Sequence, residues 1–237
     1  MTTTGLPRPE HERVVRTMFD RIAPRYDLMN RVMTAGLDRR WRRLAADAAR
    51  LPAGARALDL CCGTGDLTLE LARRVGPEGL AVGSDFSADM LERARAKAGG
   101  AAVRFEHGNA LELPYEDASF DAVTVAFGIR NVADVRTCLA EMVRCARPGG
   151  RVVVLEICTP KAPVLKMFYE GWFDRLVPLL GRLVGRDADA YSYLPASVRR
   201  FPAPSELAHM MVDAGLRGAA FRRLAGGIVA LHWGTRP

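Results

Sequence analysis

The sequence predicts an α/β fold built on a mostly parallel sheet, and three observations predict it. Short apolar runs of strand length alternate with helical segments between Ala55 and Glu156, the pattern of successive strand–helix–strand units. The first run passes through Cys61-Cys62-Gly63-Thr64-Gly65 directly into a helix. Beyond the alternation, two more strand-like runs flank Gly226-Gly227 and read as an antiparallel hairpin. A chain of 237 residues, 49% hydrophobic, suits one domain spanning 1–237 rather than two.

Residues 10–50 carry helical spacing, with Val14, Val15, Met18, Phe19 and Ile22 on one side and a break at Pro24, and predict a helical N-terminal extension. Strands are expected at 57–61, 80–84, 103–106, 122–127 and 151–156, with helices at 66–75, 88–98 and 135–145. These make a five-stranded Rossmann-like core. Residues 157–204 do not continue the alternation and are expected to form an insertion serving as lid or acceptor site. Its apolar stretch at 164–185 contains Lys166, Glu170, Asp174, Arg175 and Arg182, well short of the ~18 clean apolar residues a spanning helix needs. A helix at 205–214 is expected to start on a Ser205 cap after Pro204 and to stop before Gly215. Strands at 219–222 and 228–233 complete a seven-stranded sheet with a C-terminal antiparallel hairpin.

The chain carries 34 Lys+Arg against 27 Asp+Glu, a net charge of +7. Lysine occurs only at 97, 161 and 166 and the arginines are scattered, so the excess reads as compositional bias and does not choose among nucleic acid, anionic lipid and acidic ligands. Nothing near Met1 combines a basic start, an apolar run and a small-residue cleavage site, and the expected compartment is the cytoplasm. Five cysteines without a Cys-x-x-Cys spacing argue against a metal site. The adjacent Cys61 and Cys62 read as small packing residues, since a vicinal disulfide would strain the backbone.

In a sheet of this kind the ligand sits at the carboxyl ends of the strands, so the glycine turn is expected to face a cofactor, with Gly63 and Gly65 allowing close backbone approach. A Gly-x-Gly turn alone is shared with dinucleotide enzymes. The dinucleotide fingerprint wants a further Gly or Ala where this chain has Thr68, which makes a nicotinamide or flavin cofactor the second choice. Asp85 ends the second strand, where a carboxylate accepts from both ribose hydroxyls of an adenosyl group, a feature that fits NAD equally well. Asn109-Ala110 after the third strand offer hydrogen bonds to an adenine edge and room for the ring; the alternative for Asn109 is a turn residue. Asp59, just before the glycines, either orients the sulfonium end of a cofactor or holds local backbone.

Four stretches together resemble the ubiquinone/menaquinone biosynthesis C-methyltransferase family. They are Phe19-Asp20-Arg21-Ile22-Ala23-Pro24-Arg25-Tyr26-Asp27-Leu28-Met29-Asn30 with Gly36 and Arg39-Arg40-Trp41; the glycine loop; Phe127-Gly128-Ile129-Arg130-Asn131-Val132 leading to Arg147-Pro148-Gly149-Gly150; and Tyr191-Ser192-Tyr193-Leu194-Pro195-Ala196-Ser197-Val198-Arg199-Arg200-Phe201-Pro202. The resemblance implies a class I methyltransferase that uses S-adenosyl-L-methionine to methylate demethylmenaquinol or a related benzoquinol, with Thr64, Asp85, Asn109 and Ala110 on the cofactor. Ala126 stands where some members have Ser, and Asp38 where many have His, so neither position is given a chemical role.

Methyl transfer needs an in-line nucleophile and exclusion of water. Tyr26, Asp27 and Asn30 are expected to form a lid, with Tyr26 against the methionine end of the cofactor. Arg130 lies just past the fourth strand, where its permanent charge would stabilise a phenolate; the alternative is a structural arginine tying down a turn. Asn131, Tyr191 and Tyr193 are placed with the acceptor, the tyrosines having core packing as their alternative. None of His11, His107, His209 and His232 stands out as a base. The expected partners are a lipophilic quinol and a peripheral membrane contact through 164–185 at the inner face of the membrane, without nucleic acid, because the fourth strand ends in Ala126-Phe127-Gly128 rather than a base-flipping motif. The oligomeric state is left open, a homodimer included. Competing readings are a methyltransferase for a soluble small molecule and a non-catalytic sensor of an adenosyl ligand.

Overall fold

A computed structural model of the chain describes residues 7–99, 103–160, 171 and 188–237, the side chains of 188–192 excepted. Seven strands form one sheet: β1 (Arg56–Leu60), β2 (Leu80–Asp85), β3 (Val103–His107), β4 (Phe120–Ala126), β5 (Ala146–Ile157), β6 (Arg217–Leu224) and β7 (Val229–Thr235). Their order is β3-β2-β1-β4-β5-β7-β6. The first five pair in parallel, and β7 runs antiparallel between β5 and β6. The strand order reverses between β1 and β4, and the crevice at such a switch point is where α/β sheets bind ligands.

The helices described are α1 (Arg8–Ile22), α2 (Tyr26–Thr34), α3 (Leu37–Ala48), α4 (Asp66–Val75), α5 (Ala88–Ala98), α6 (Val135–Cys145), α7 (Ala188–Arg200) and α8 (Pro204–Asp213). Those of the βα units fall at the expected residues, because helix periodicity and caps agree there. Ser87 accepts from the Met90 amide to start α5, and Asp134 accepts from the Arg136 and Thr137 amides to start α6. The N-terminal extension is three helices; Pro24 does not separate α1 from α2 widely but sits in a 3-10 turn, Ala23–Arg25. Ser205 is not the cap of α8. Ala203 holds that position without a side-chain bond and Pro204 opens the helix, as suits a residue with no N–H to leave unpaired.

One core lies on the α6 and α8 side of the sheet, with Leu58, Val123, Leu139, Met142, Val154 and Leu207. The opposite face packs Trp41, Ala45, Leu67, Leu71, Val153 and Leu231. A third cluster joins α1 and α2 to α5 and α7 through Val15, Met18, Met29, Met90 and Tyr193, so the N-terminal helices sit over the carboxyl end of β2. The segment 164–185, apart from Gly171, lies outside the described residues. Among the described residues no helix is long and apolar enough to cross a membrane.

Candidate active site

The carboxyl ends of β1 and β4 carry backbone that side chains rarely adopt: Cys61 has φ +49° and Phe127 has φ +60°. Such residues persist only where surroundings over-determine them, commonly at ligand sites. A β-carbon on Gly128 would overlap the side chain of Cys61, so the two strand ends fit only with glycine there. Gly63, at φ +54°, donates its N–H to Asp85 Oδ2 at 2.8 Å. Gly65 has a further, steric reason to be glycine. A β-carbon on it would meet the Phe105 ring at 2.7 Å, so this glycine lets α4 start against β3.

A cleft of about 730 Å³ opens at these strand ends, lined among others by Glu12, Tyr26, Asp85, Asn109, Ala110 and Asn131. Asp85 is 6% exposed and accepts from the amides of Gly63 and Ser87 at 2.8 and 2.9 Å. Burial raises its pKa, against the pull of those two amides. Asn109 Oδ1 accepts from the Leu111 amide at 3.0 Å, and its Nδ2 donates to Glu12 Oε1 at 3.3 Å. Asn131 is buried with Oδ1 unpartnered.

Around Tyr26, Cys61 and Gly63 the cleft meets a smaller pocket of about 290 Å³ beneath the glycine loop, lined also by Arg42, Asp59 and Thr64. The Asp59 carboxylate accepts from Thr68 Oγ1 at 2.7 Å and Thr124 Oγ1 at 3.0 Å, and burial pushes its pKa up to about 7. Its partners are hydroxyls from α4 and β4, not the local amides of the alternative reading. Thr64 faces α2: its hydroxyl donates to Asp27 Oδ1 at 2.6 Å and accepts from Lys97 Nζ at 2.9 Å. Lys97 also pairs with Asp27 and Asp66, each at 2.7 Å. Burial disfavours the Asp27 anion, but the bonds from Lys97 and Thr64 outweigh it and lower its pKa. Tyr26 is raised by burial and stays a protonated phenol, a hydrogen-bond donor and not a base.

Arg130 does not line the main cleft. Its guanidinium is buried in an ion pair with Glu156 at 2.7 Å and donates to the Phe127 carbonyl, while Nε has no partner. Burial opposes its charge, and the Glu156 carboxylate more than compensates, raising its pKa. It faces a second cavity of about 800 Å³ with His11, Tyr193, Ser197 and Arg200. The two cavities share Val132 and Ala133. Asn131 and Arg130 thus face adjoining spaces from one 3-10 turn, Ile129–Asn131. Tyr193 is 6% exposed and packs with the N-terminal helices as well as lining that cavity. The Tyr191 side chain lies outside the described residues.

Four residues were given no role by the sequence. Glu12 reaches the cleft from α1, and His11, beside it, has a buried unpartnered Nδ1 in the second cavity, with burial and then Arg200 lowering its pKa. Both read as ordinary helix-surface charges. Arg42 pairs with buried Asp38 at 2.5 Å and lies 5.1 Å over the Phe127 ring; their four-residue spacing was the available signal. Glu156, near the end of β5 much as Asp85 ends β2, was visible by the same strand-end rule that found Asp85.

The profile of the ubiE/COQ5 methyltransferase family matches residues 8–236. The demethylmenaquinone methyltransferase of Roseiflexus castenholzii is 45% identical over 237 residues, covering 100% of this chain and 99% of its own length. That of Deinococcus radiodurans is 49% identical over 224 residues, covering 94% and 92%. The ubiquinone/menaquinone biosynthesis C-methyltransferase UbiE of Hahella chejuensis is 42% identical, covering 98% and 94%. Among solved structures, the [4+2]-cyclase SpnF superposes with a TM-score of 0.70 at 18% identity, covering 94% of this chain and 95% of that one. A SAM-dependent methyltransferase from Aquifex aeolicus does so at 0.58 and 17%, covering 79% and 85%; both share the fold. With its glycine loop, strand-end Asp85 and Asn109 and seven-stranded sheet, the chain belongs to the ubiE/COQ5 methyltransferase family.

Proposed function

We propose that the chain transfers a methyl group from S-adenosyl-L-methionine to a ring carbon of a polyprenylated quinol, converting demethylmenaquinol to menaquinol. The carrying observation is the pair of joined cavities. A cleft with Asp85 and Asn109 at its strand ends adjoins a second space, and three residues with a buried unpartnered polar atom, Asn131 (Oδ1), Arg130 (Nε) and His11 (Nδ1), line one or the other. Unpaired buried polar atoms are costly and call for a ligand or water.

The residues fit the cofactor. After two amide bonds the Asp85 carboxylate keeps lone pairs for ribose hydroxyls. Asn109 and Ala110 suit the adenine, and the pocket lined by Arg42 and Asp59, beside the backbone of Gly63 and Thr64, suits the polar amino-acid end. When bound, S-adenosyl-L-methionine supplies an electrophilic methyl group. Tyr26 and the α1–α2 cover exclude water. A phenolic hydroxyl ordinarily titrates near ~10, and the Arg130 guanidinium, fixed by Glu156, favours the phenolate beside it. Neutral His11 is able to accept the hydroxyl proton in the same cavity, while Asn131 and Tyr193 orient the ring. A prenylated acceptor partitions into the bilayer, so the enzyme works from the cytoplasm at the inner membrane face.

The test is incubation of purified protein with labelled S-adenosyl-L-methionine and reduced demethylmenaquinone, the product identified by mass in the organic extract. One added methyl on the naphthoquinol is expected. Transfer only to a benzoquinol or a water-soluble acceptor overturns the acceptor assignment, and binding without turnover on any acceptor makes the protein a sensor.

A further inference from the structure

Large exposed apolar side chains are few among the described residues: Leu28 at 51%, Val32 at 40%, Leu37 at 42% and Val212 at 53%. Three of the four lie at one place, the corner formed by α2 and the start of α3. On a helix of 3.6 residues per turn, Leu28 and Val32, one turn apart, follow one stripe. Tyr26, Met29 and Met33 follow the opposite one and pack into the cluster with α1 and α5. Helix α2 is therefore apolar on two faces, and only one of them is packed against the described residues.

The charges around the open stripe have one sign. Arg31, Arg39 and Arg40 are exposed and Arg25 is half-buried. Of the nearby carboxylates, Asp27 is held by Lys97 and Thr64, with Arg31 close enough to favour its anion, and Asp38 is held by Arg42 in a buried pair. Apolar side chains ringed by cations are the composition of an interfacial helix on an anionic lipid surface.

We propose that the α2–α3 corner docks on an anionic bilayer, inserting Leu28, Val32 and Leu37 between headgroups paired with Arg31, Arg39 and Arg40. The inference deepens the quinol reading and rests on it for its biological sense: the outer face of α2 meets the membrane while the inner face carries Tyr26 over the cleft.

Cosedimentation of the full chain with quinol-free vesicles tests it. Binding to phosphatidylglycerol-containing vesicles at low salt is expected, falling about tenfold or more in pure phosphatidylcholine or in molar salt. The triple variant Leu28→Ser, Val32→Ser, Leu37→Ser and, separately, Arg31→Gln, Arg39→Gln, Arg40→Gln should each lose binding by a similar factor, and Val212→Ser should not. All these positions are on the surface, and thermal melts establish folding. Absent binding to anionic vesicles, or equal binding by the folded triple variants, overturns the proposal. So does a concentration-dependent dimer that the leucine variant abolishes, which would make the corner a contact between copies. Methylation of a water-soluble short-chain quinol, unchanged in the triple variants, keeps the quinol reading separate: that assay can fail while vesicle binding holds, and the reverse.

Discussion

At the scale of single residues, charges held out of water decide what the site does. Asp59 is buried with a pKa near 7 against an ordinary 3.8. A carboxyl group raised in the folded state contributes stability that is complete below its unfolded pKa and lost as pH climbs to its folded one. Asp59→Asn should therefore gain stability relative to the parent progressively from about pH 4 to pH 7 and by a constant amount above, in thermal melts across pH; a pH-independent difference would contradict the buried anion. Asp85 accepts from the Gly63 and Ser87 amides and is the proposed ribose acceptor, so Asp85→Asn should weaken S-adenosylhomocysteine binding by about tenfold or more in calorimetry. Arg130→Lys keeps a cation beside Glu156 but not the fork, and should lower kcat about a hundredfold with cofactor affinity near that of the parent. If turnover under saturating substrate is unaffected, the arginine only ties β5 to the Phe127 turn.

At the scale of elements, Gly65 and the N-terminal helices make distinct predictions. Gly65→Ala puts a β-carbon against the Phe105 ring in left-handed backbone, and should cost about 2–4 kcal/mol in urea unfolding. Helices α1 and α2 are held to the core by Asp20–Ser87 at 2.5 Å and by Asp27 with Thr64 and Lys97. With Asp27 and Lys97 each 29% exposed, a double-mutant cycle on that pair should give a coupling of only about 0.5–1 kcal/mol, yet stopped-flow release of S-adenosylhomocysteine should quicken in Asp27→Asn. The βα units were legible in the sequence because periodicity, caps and glycines all point one way there, and Asp85, Asn109 and Ala110 followed from strand ends. What was not legible is tertiary: that Gly65 answers to Phe105, that Thr64 turns to Asp27 of α2, and that Glu12 and His11 look inward from a helix whose pattern shows only which residues are polar.

At the scale of the whole molecule, the cleft lies between the sheet and a helical cover made by the N-terminal part of the chain. A ligand there joins the two, so S-adenosylhomocysteine at a hundred times its Kd should stabilise the protein by about 2.7 kcal/mol and slow tryptic cleavage at Arg13 and Arg21 in α1. Unaltered cleavage there alongside a raised Tm would mean that the cover does not close on the ligand. The sheet order has a further consequence, for the making of the protein. β5 takes its second partner from β7, which comes after everything between Ile157 and Val229. Until the ribosome has passed that stretch, the edge of β5, with Val152, Val153, Val154 and Leu155 in a row, stands without a neighbour. An unpaired apolar edge invites other chains to pair with it. Nascent and refolding chains should accordingly be most prone to aggregate in that interval, and recovery of activity should fall with protein concentration even though the finished sheet buries Val152, Val153, Val154 and Leu155 completely.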